Sequence, residues 1–341
     1  LVGSEMCIRD SRRSSFRVLC HPELKHKSFT CHMSYQLWKG KQIMKDYERL
    51  KMMEYPKDRI DLVIDTDAAT EIDDQFAIAY ALLSRERFHI RGIYAAPFAM
   101  NEKTKDPNVG MQMSYDEIVN IMHLCGENPD GLVFHGAGAY GAPQPSDASM
   151  HLVQLAKNYS PEKPLYVAAI GAITNIATAI LQYPDIINRI VLVWLAGNDF
   201  DDSPNVYNIY QDVKSAQVVF DSGVPFIHVP CNYVTSHLLT GIPELENCIG
   251  RKNALCDYLV ENVKKYGENH FAWGKQIWDI GVIGYLMNEN FSSCETVSAP
   301  ILTDNITWSR DYRRHLIKNV KHLDRDAIFR DMYKKLGNLE T

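Results

Sequence analysis

A chain of 341 residues, 46% hydrophobic and 23% charged, has the length for one large α/β domain or two small ones and the composition of an ordinary globular protein. Thirty-six basic residues against forty-two acidic ones leave a formal charge of −6, without the basic surplus that a nucleic-acid partner calls for. No run approaches the roughly 18 apolar residues of a bilayer span, and the eight cysteines are scattered without a Cys-x-x-Cys pair, so they read as buried thiols of a reducing, cytoplasmic setting.

Residues 1–32 carry basic and serine-rich patches and no apolar periodicity, and they lack the apolar core of a secretory signal. They are expected to be a non-native or disordered extension, with the natural start at Met33 or Met44 and residues 33–59 as a lead-in. A strand–helix alternation then runs to the end. Asp61–Asp65 reads as a buried parallel strand, and Asp73–Ser84 as a helix with two aspartates in its first turn. Phe88–Ala95 is a second strand, followed by helices over Met111–Cys125, closed by Gly126, and over Ser146–Asn158, opened by Ser146. Leu165–Ala169 is a strand and Ile173–Leu181 a helix stopped by Tyr183-Pro184. Ile190–Leu195 and Phe226–Val229 are strands around the helix Asp212–Asp221, and Lys252–Tyr266 and Lys275–Met287 are later helices. Crossover units of this kind imply an α/β fold with an open, mostly parallel sheet flanked by helices. No composition break divides residues 60–341, which read as a single domain.

Five acids fall within Asp65-Thr66-Asp67-Ala68-Ala69-Thr70-Glu71-Ile72-Asp73-Asp74, at a strand-to-helix junction. Ligand sites of open α/β sheets lie outside the carboxyl ends of strands, and the amides of a helix start favour carboxylates such as Asp73 and Asp74. Carboxylates so close raise one another's pKa unless a cation neutralises them. A hard divalent ion with oxygen ligands meets that need, calcium with tolerant geometry and magnesium with a stricter octahedron. The plainer reading, in which Asp73 and Asp74 only cap a helix and the others face water, accounts for single residues better than for the whole set.

The segment resembles the N-terminal signature of the inosine–uridine-preferring nucleoside hydrolase family, with a longer loop between its acidic pairs, as in a divergent branch. Further segments are similar in family order: Ile170-Gly171-Ala172-Ile173-Thr174-Asn175, the strand and turn of Val191–Gly197, Tyr207-Asn208-Ile209-Tyr210-Gln211-Asp212, Trp278-Asp279 at the head of a late helix, and the tail Leu316–Leu336. The resemblance covers about residues 60–336. It implies a nucleoside-hydrolase-like fold, hydrolysis of the N-glycosidic bond of ribonucleosides to ribose and free base, a calcium cofactor, and a homodimer or homotetramer.

Carried over residue by residue, the resemblance makes Asp67, Asp74 and Asp279 side-chain metal ligands and the Ile170 carbonyl a backbone ligand. Asp67 also becomes the base that activates a calcium-bound water, and Asp65 a buried acid that orients the site. Asp73 and Asn208 hold ribose hydroxyls. Asn205, Phe98, Tyr207 and Trp278 complete the expected substrate contacts.

Three departures bear on the substrate. Trp278 stands where much of the family has a histidine that protonates the leaving base, and an indole cannot act as an acid at neutral pH. Tyr207, Tyr210, Tyr233 and His237 are the local alternatives. Val206 replaces a usual glutamate, and Ala95-Ala96-Pro97-Phe98 replaces a small-residue turn with asparagine, so that Phe98 is read as closing over substrate. A second function therefore stays open: a catalytically weak nucleoside- or ribose-binding protein that retains the fold. A Mg-dependent phosphohydrolase is suggested by Asp65-x-Asp67, but Ala69 stands where that chemistry wants Thr or Val.

Overall fold

Leu62, Val63 and Ile64 are wholly buried in β1 (Ile60–Thr66), as an apolar run must be when a strand is covered on both faces. The computed structural model describes residues 44–266 and 269–338; the extension read over residues 1–32 lies outside them. The strands that follow in the chain are β2 (Phe88–Ala95), β3 (Val133–Phe134), β4 (Leu165–Ala169), β5 (Ile190–Leu195), β6 (Phe226–Val229), β7 (Leu239–Thr240), β8 (Lys275–Gln276), β9 (Ser292–Ser298), β10 (Ile301–Leu302), β11 (Trp308–Ser309) and β12 (Leu316–Leu323). Eight of them form one sheet in the order β3-β2-β1-β4-β5-β6-β12-β9. Every pairing is parallel except that of β9, which runs antiparallel along β12. The expected open, mostly parallel sheet flanked by helices is what the chain forms.

β1 is central, and the chain reverses its direction of travel across the sheet between β1 and β4, which are neighbours through Asp65 and Ala169. Such a switch point opens a crevice at the carboxyl ends of the strands. The helix Asp73–Leu82 begins there and is buried along its whole length.

Local chemistry sets the helix limits. The helix expected from Met111 starts at Pro107, because the Asp106 side chain accepts from the Asn108 amide at 2.9 Å and proline fits the first helical position. Ser146 accepts from the Ser149 amide at 3.2 Å and opens Asp147–Ala156. Asp212 caps Val213–Ser222 rather than lying inside it.

One expected helix is corrected. Lys275–Gln276 pairs with Leu239–Thr240 as strand, and the helix runs only from Ile280 to Met287. The backbone between them is engaged elsewhere: the Ile277 amide donates to the Leu238 carbonyl at 2.9 Å, and the Trp278 amide to the Asp73 carboxylate at 3.1 Å. Within the expected lead-in, the helix Asp46–Met52 is fixed by buried Arg49, which donates to the carbonyls of Gly223 and Met44 at 2.9 and 3.0 Å. Among the described residues no helix is long and apolar enough to cross a membrane.

Candidate active site

Asp65 ends the apolar run of β1 with its carboxyl wholly buried. Its Oδ1 accepts from Asn175 Nδ2 at 2.8 Å, and its Oδ2 has no hydrogen-bond partner. The Asn175 amide is fixed in turn, since its Oδ1 accepts from the Ala137 amide at 2.8 Å. Burial pushes Asp65 up to about 7 against the pull of Asn175. Thr174, the preceding residue, donates at 2.6 Å to Asp212. The Thr-Asn pair therefore ties the start of one helix to β1 and to the cap of another.

Two residues on, Asp67 is packed so that a Cβ on Gly171 would lie 2.9 Å from its Oδ1, while its Oδ2 accepts from Thr70 Oγ1 at 3.0 Å. Gly171 is thus required by close approach rather than by backbone angle. Burial pushes Asp67 up to about 7, with Thr70 opposing and the Asp73 charge adding to the rise. Asp74 accepts from Thr66 Oγ1 at 2.5 Å. Burial, then the charges of Asp67 and Asp73, hold Asp74 well above the ordinary carboxyl range. Asp279 immediately precedes the helix Ile280–Met287; burial, then Asp73, Asp74 and Asp67, raise it likewise.

The structure brings one oxygen each of Asp73, Asp74 and Asp279 within 4.8 Å of one another, all three residues buried. Asp73, expected as a sugar contact, belongs to this closest set. Asp67 is outside it but lines the same cavity, as does Ile170. The cavity measures about 250 Å³, near the lower end of small-molecule pockets, and is also lined by Glu71, Val206, Tyr207, Asn208, Cys231 and Trp278. Buried carboxyls that each resist ionisation, gathered at two helix starts, form an all-oxygen donor set that fits a hard divalent cation.

Lys275 is a participant that the sequence reading placed only in a helix. It is buried, with its Nζ 2.6 Å from Glu71 and 3.8 Å from Asp73. Burial lowers its ammonium pKa, but Asp73 and Glu71 outweigh that and raise it. One internal cation does not balance this many carboxylates. The signal in the sequence was a lone lysine in the segment leading to Trp278-Asp279.

Asn208 donates through Nδ2 to the carbonyls of Ile170 and Leu195, both at 3.0 Å. Two carbonyls fix the amide's orientation and leave its Oδ1 to accept. The Tyr207 hydroxyl donates to the Ala99 carbonyl at 2.7 Å, and Trp278 is half-buried at the cavity wall.

Two expected contacts do not reach the cavity. Phe98 is fully buried in the core, its carbonyl against Gly110, and it cannot close over a ligand. Asn205 is exposed, its backbone amide held by Ser203 Oγ at 3.2 Å, and is not among the lining residues. Of the alternative proton donors, Tyr210, Tyr233 and His237 are also absent from the lining.

Residues 62–330 match the family described as inosine-uridine preferring nucleoside hydrolase. An uncharacterised protein of Schizosaccharomyces pombe is 23% identical, over 82% of this chain and 99% of that one. The pyrimidine-specific ribonucleoside hydrolase RihB of Escherichia coli is 30% identical over 35% of this chain, a match that spans 40% of the relative. Among solved structures, a plant nucleoside hydrolase, PpNRh1, superposes with a TM-score of 0.66 at 19% identity, covering 82% of this chain and 99% of that one. A purine-preferring ribonucleoside hydrolase from Gardnerella vaginalis gives 0.62 at 18% identity, covering 82% and 98%. At these identities the solved structures establish a shared fold.

Proposed function

The chain belongs to the inosine–uridine-preferring nucleoside hydrolase family, and from that premise we propose that it hydrolyses the N-glycosidic bond of ribonucleosides, releasing ribose and the free base. The observation that carries this reading is the meeting of Asp73 and Asp74, from one helix start, with Asp279, from another, within 4.8 Å beside the end of β1.

Breaking the bond to the base develops positive charge on the ribose ring. Carboxylates held around that ring stabilise the charged transition state more than the neutral substrate, which is the condition for catalysis. The chemistry that calcium would supply, held by Asp67, Asp74, Asp279 and the Ile170 carbonyl, is Lewis acidity toward a water and the vicinal ribose hydroxyls. Asp67 accepts the proton of the attacking water, its carboxyl kept in one orientation by Thr70 and Gly171. Asp73 accepts from a ribose hydroxyl while the Trp278 amide and Lys275 keep it in place. Asn208 offers its Oδ1 to a second hydroxyl, because both of its donors are already used. Tyr207 and Trp278 give the departing base apolar faces to lie against. A cytoplasmic homo-oligomer is part of the same reading.

The test is release of free base from a panel of purine and pyrimidine ribonucleosides, with calcium and with a chelator. Release that stops on chelation is expected. A calcium-loaded, folded protein that turns over no nucleoside sinks the proposal. A second reading, a nucleoside- or ribose-binding protein with weak turnover, is favoured by Val206 and Trp278, which put apolar groups in the cavity lining where an acid would speed the reaction. Its signature is tight nucleoside binding without base release.

A further inference from the structure

An N-glycoside that is cut sheds its base with the electron pair of the broken bond. A neutral base takes that pair as negative charge and needs a proton in return. Among the described residues the cavity wall has none to give. The Tyr207 hydroxyl donates to the Ala99 carbonyl at 2.7 Å and accepts from Asn101 Nδ2 at 3.1 Å, so both of its roles are taken. Burial keeps the Cys231 proton on its sulfur, and the Leu195 and Val206 side chains carry no polar atom. Asn232 and Trp278 hold N–H groups that are not acids.

The charge around the cavity points the same way. Glu71 and the four aspartates of the lining face one lysine, Lys275, which lies 2.6 Å from Glu71 and 3.8 Å from Asp73. A single divalent ion added to Lys275 still leaves the carboxyl groups in excess, so negative charge growing on a departing base meets repulsion. Trp278 and Tyr207 put half-buried aromatic faces beside those acids, surfaces that attract a cation. We propose that the substrates best suited to this site are ribosides whose base already carries a fixed positive charge, a heterocycle quaternised at a ring nitrogen. The inference rests on the hydrolase reading and names its substrate class. Water adds to the anomeric carbon, and the electron pair of the carbon–nitrogen bond returns to the ring and cancels its charge. The surplus proton of the water leaves through Asp67. Ribose, a neutral heterocycle and one proton are the products, and no acid is called for.

Guanosine and 7-methylguanosine differ by one methyl group, and in mildly acidic buffer the methylated ring is a cation. The quaternised base leaves faster in water alone, and an enzyme without an acid keeps that advantage undiminished. Single-turnover base release by the calcium-loaded full chain should therefore favour 7-methylguanosine by at least the ratio of the uncatalysed rates. An acid on the enzyme would speed guanosine alone and compress that ratio by about a hundredfold or more. Two non-hydrolysable C-ribosides, of benzene and of N-methylpyridinium, separate binding from chemistry. By calorimetry the cation should bind about tenfold tighter, from aromatic contact and the acidic surroundings together. Compression of the rate ratio, or equal affinity for the two C-ribosides, overturns the proposal. Release of base from neither guanosine nor 7-methylguanosine by a folded, calcium-loaded chain overturns the hydrolase reading beneath it instead.

Discussion

Two parts of the cavity lining differ in how their side chains are fixed. Asp67, Asp73 and Asp74 are buried and each is held by a named donor: Thr70, the Trp278 amide and Thr66. Val206, Tyr207, Cys231 and Trp278 are half-buried and offer mainly surface. Among the described lining residues none is an imidazole, the Tyr207 hydroxyl is committed to the Ala99 carbonyl, and burial pushes the Cys231 thiol up to about 12. The contrast teaches where the rate must come from. For the proposed reaction, the acidic side offers carboxylates to stabilise charge on the sugar, whereas the side formed by Val206, Tyr207, Cys231 and Trp278 offers no imidazole or free acid to protonate the leaving base.

The largest expected effect lies on the acidic side. Asp74→Asn or Asp279→Asn should cut base release by about 10³-fold or more, since each removes a charge from the transition state's surroundings. Asp67→Asn should cost about 10²- to 10⁴-fold, the usual span for a lost general base. Steady-state kinetics at saturating calcium check all three.

The other side of the comparison is tested by the leaving group. A p-nitrophenyl riboside, whose leaving group departs without protonation, should turn over roughly a hundredfold faster than inosine or uridine. Trp278→His should narrow that gap by roughly tenfold by supplying an acid. Equal rates for the two substrates in the unmodified chain would mean that an acid has been overlooked.

A smaller effect appears in stability. Asp65 and Asp67 stand at about 7 in the folded chain against an ordinary 3.8, so the native state holds protons that the unfolded state has released. Without metal, the stabilisation these two groups contribute is fully present below about 4 and is lost as pH rises through about 7. Thermal melts with a chelator should fall by roughly 5 °C or more between pH 5 and 8, and added calcium should recover more at pH 8. The smallest effects belong to the residues outside the cavity. Asn205→Ala should leave kcat/KM unchanged, and Phe98→Leu should cost about 1 kcal/mol of stability without altering KM.

Much of this was legible because it was local. The apolar run ending at Asp65, the acids at the head of the Asp73 helix and the cap Ser146 are short-range signals. What escaped depends on distant partners. Lys275 and Trp278 leave a helical pattern because Leu239, Leu238 and Asp73 engage their neighbourhood. β9 carries polar, largely exposed residues, so no apolar alternation marks it. Phe98 and Asn205 sit beside the right elements in sequence, but burial and exposure respectively keep them from the cavity, and one-dimensional spacing does not report direction.

The central claim is that carboxylates far apart in the chain converge on one hard cation. Calcium uptake by the purified, folded chain, counted by equilibrium dialysis and repeated with Asp279→Asn, addresses it directly. One ion per chain that disappears in the variant is the predicted result. A well-folded chain that takes up none, or a variant that retains the ion undiminished, would contradict it.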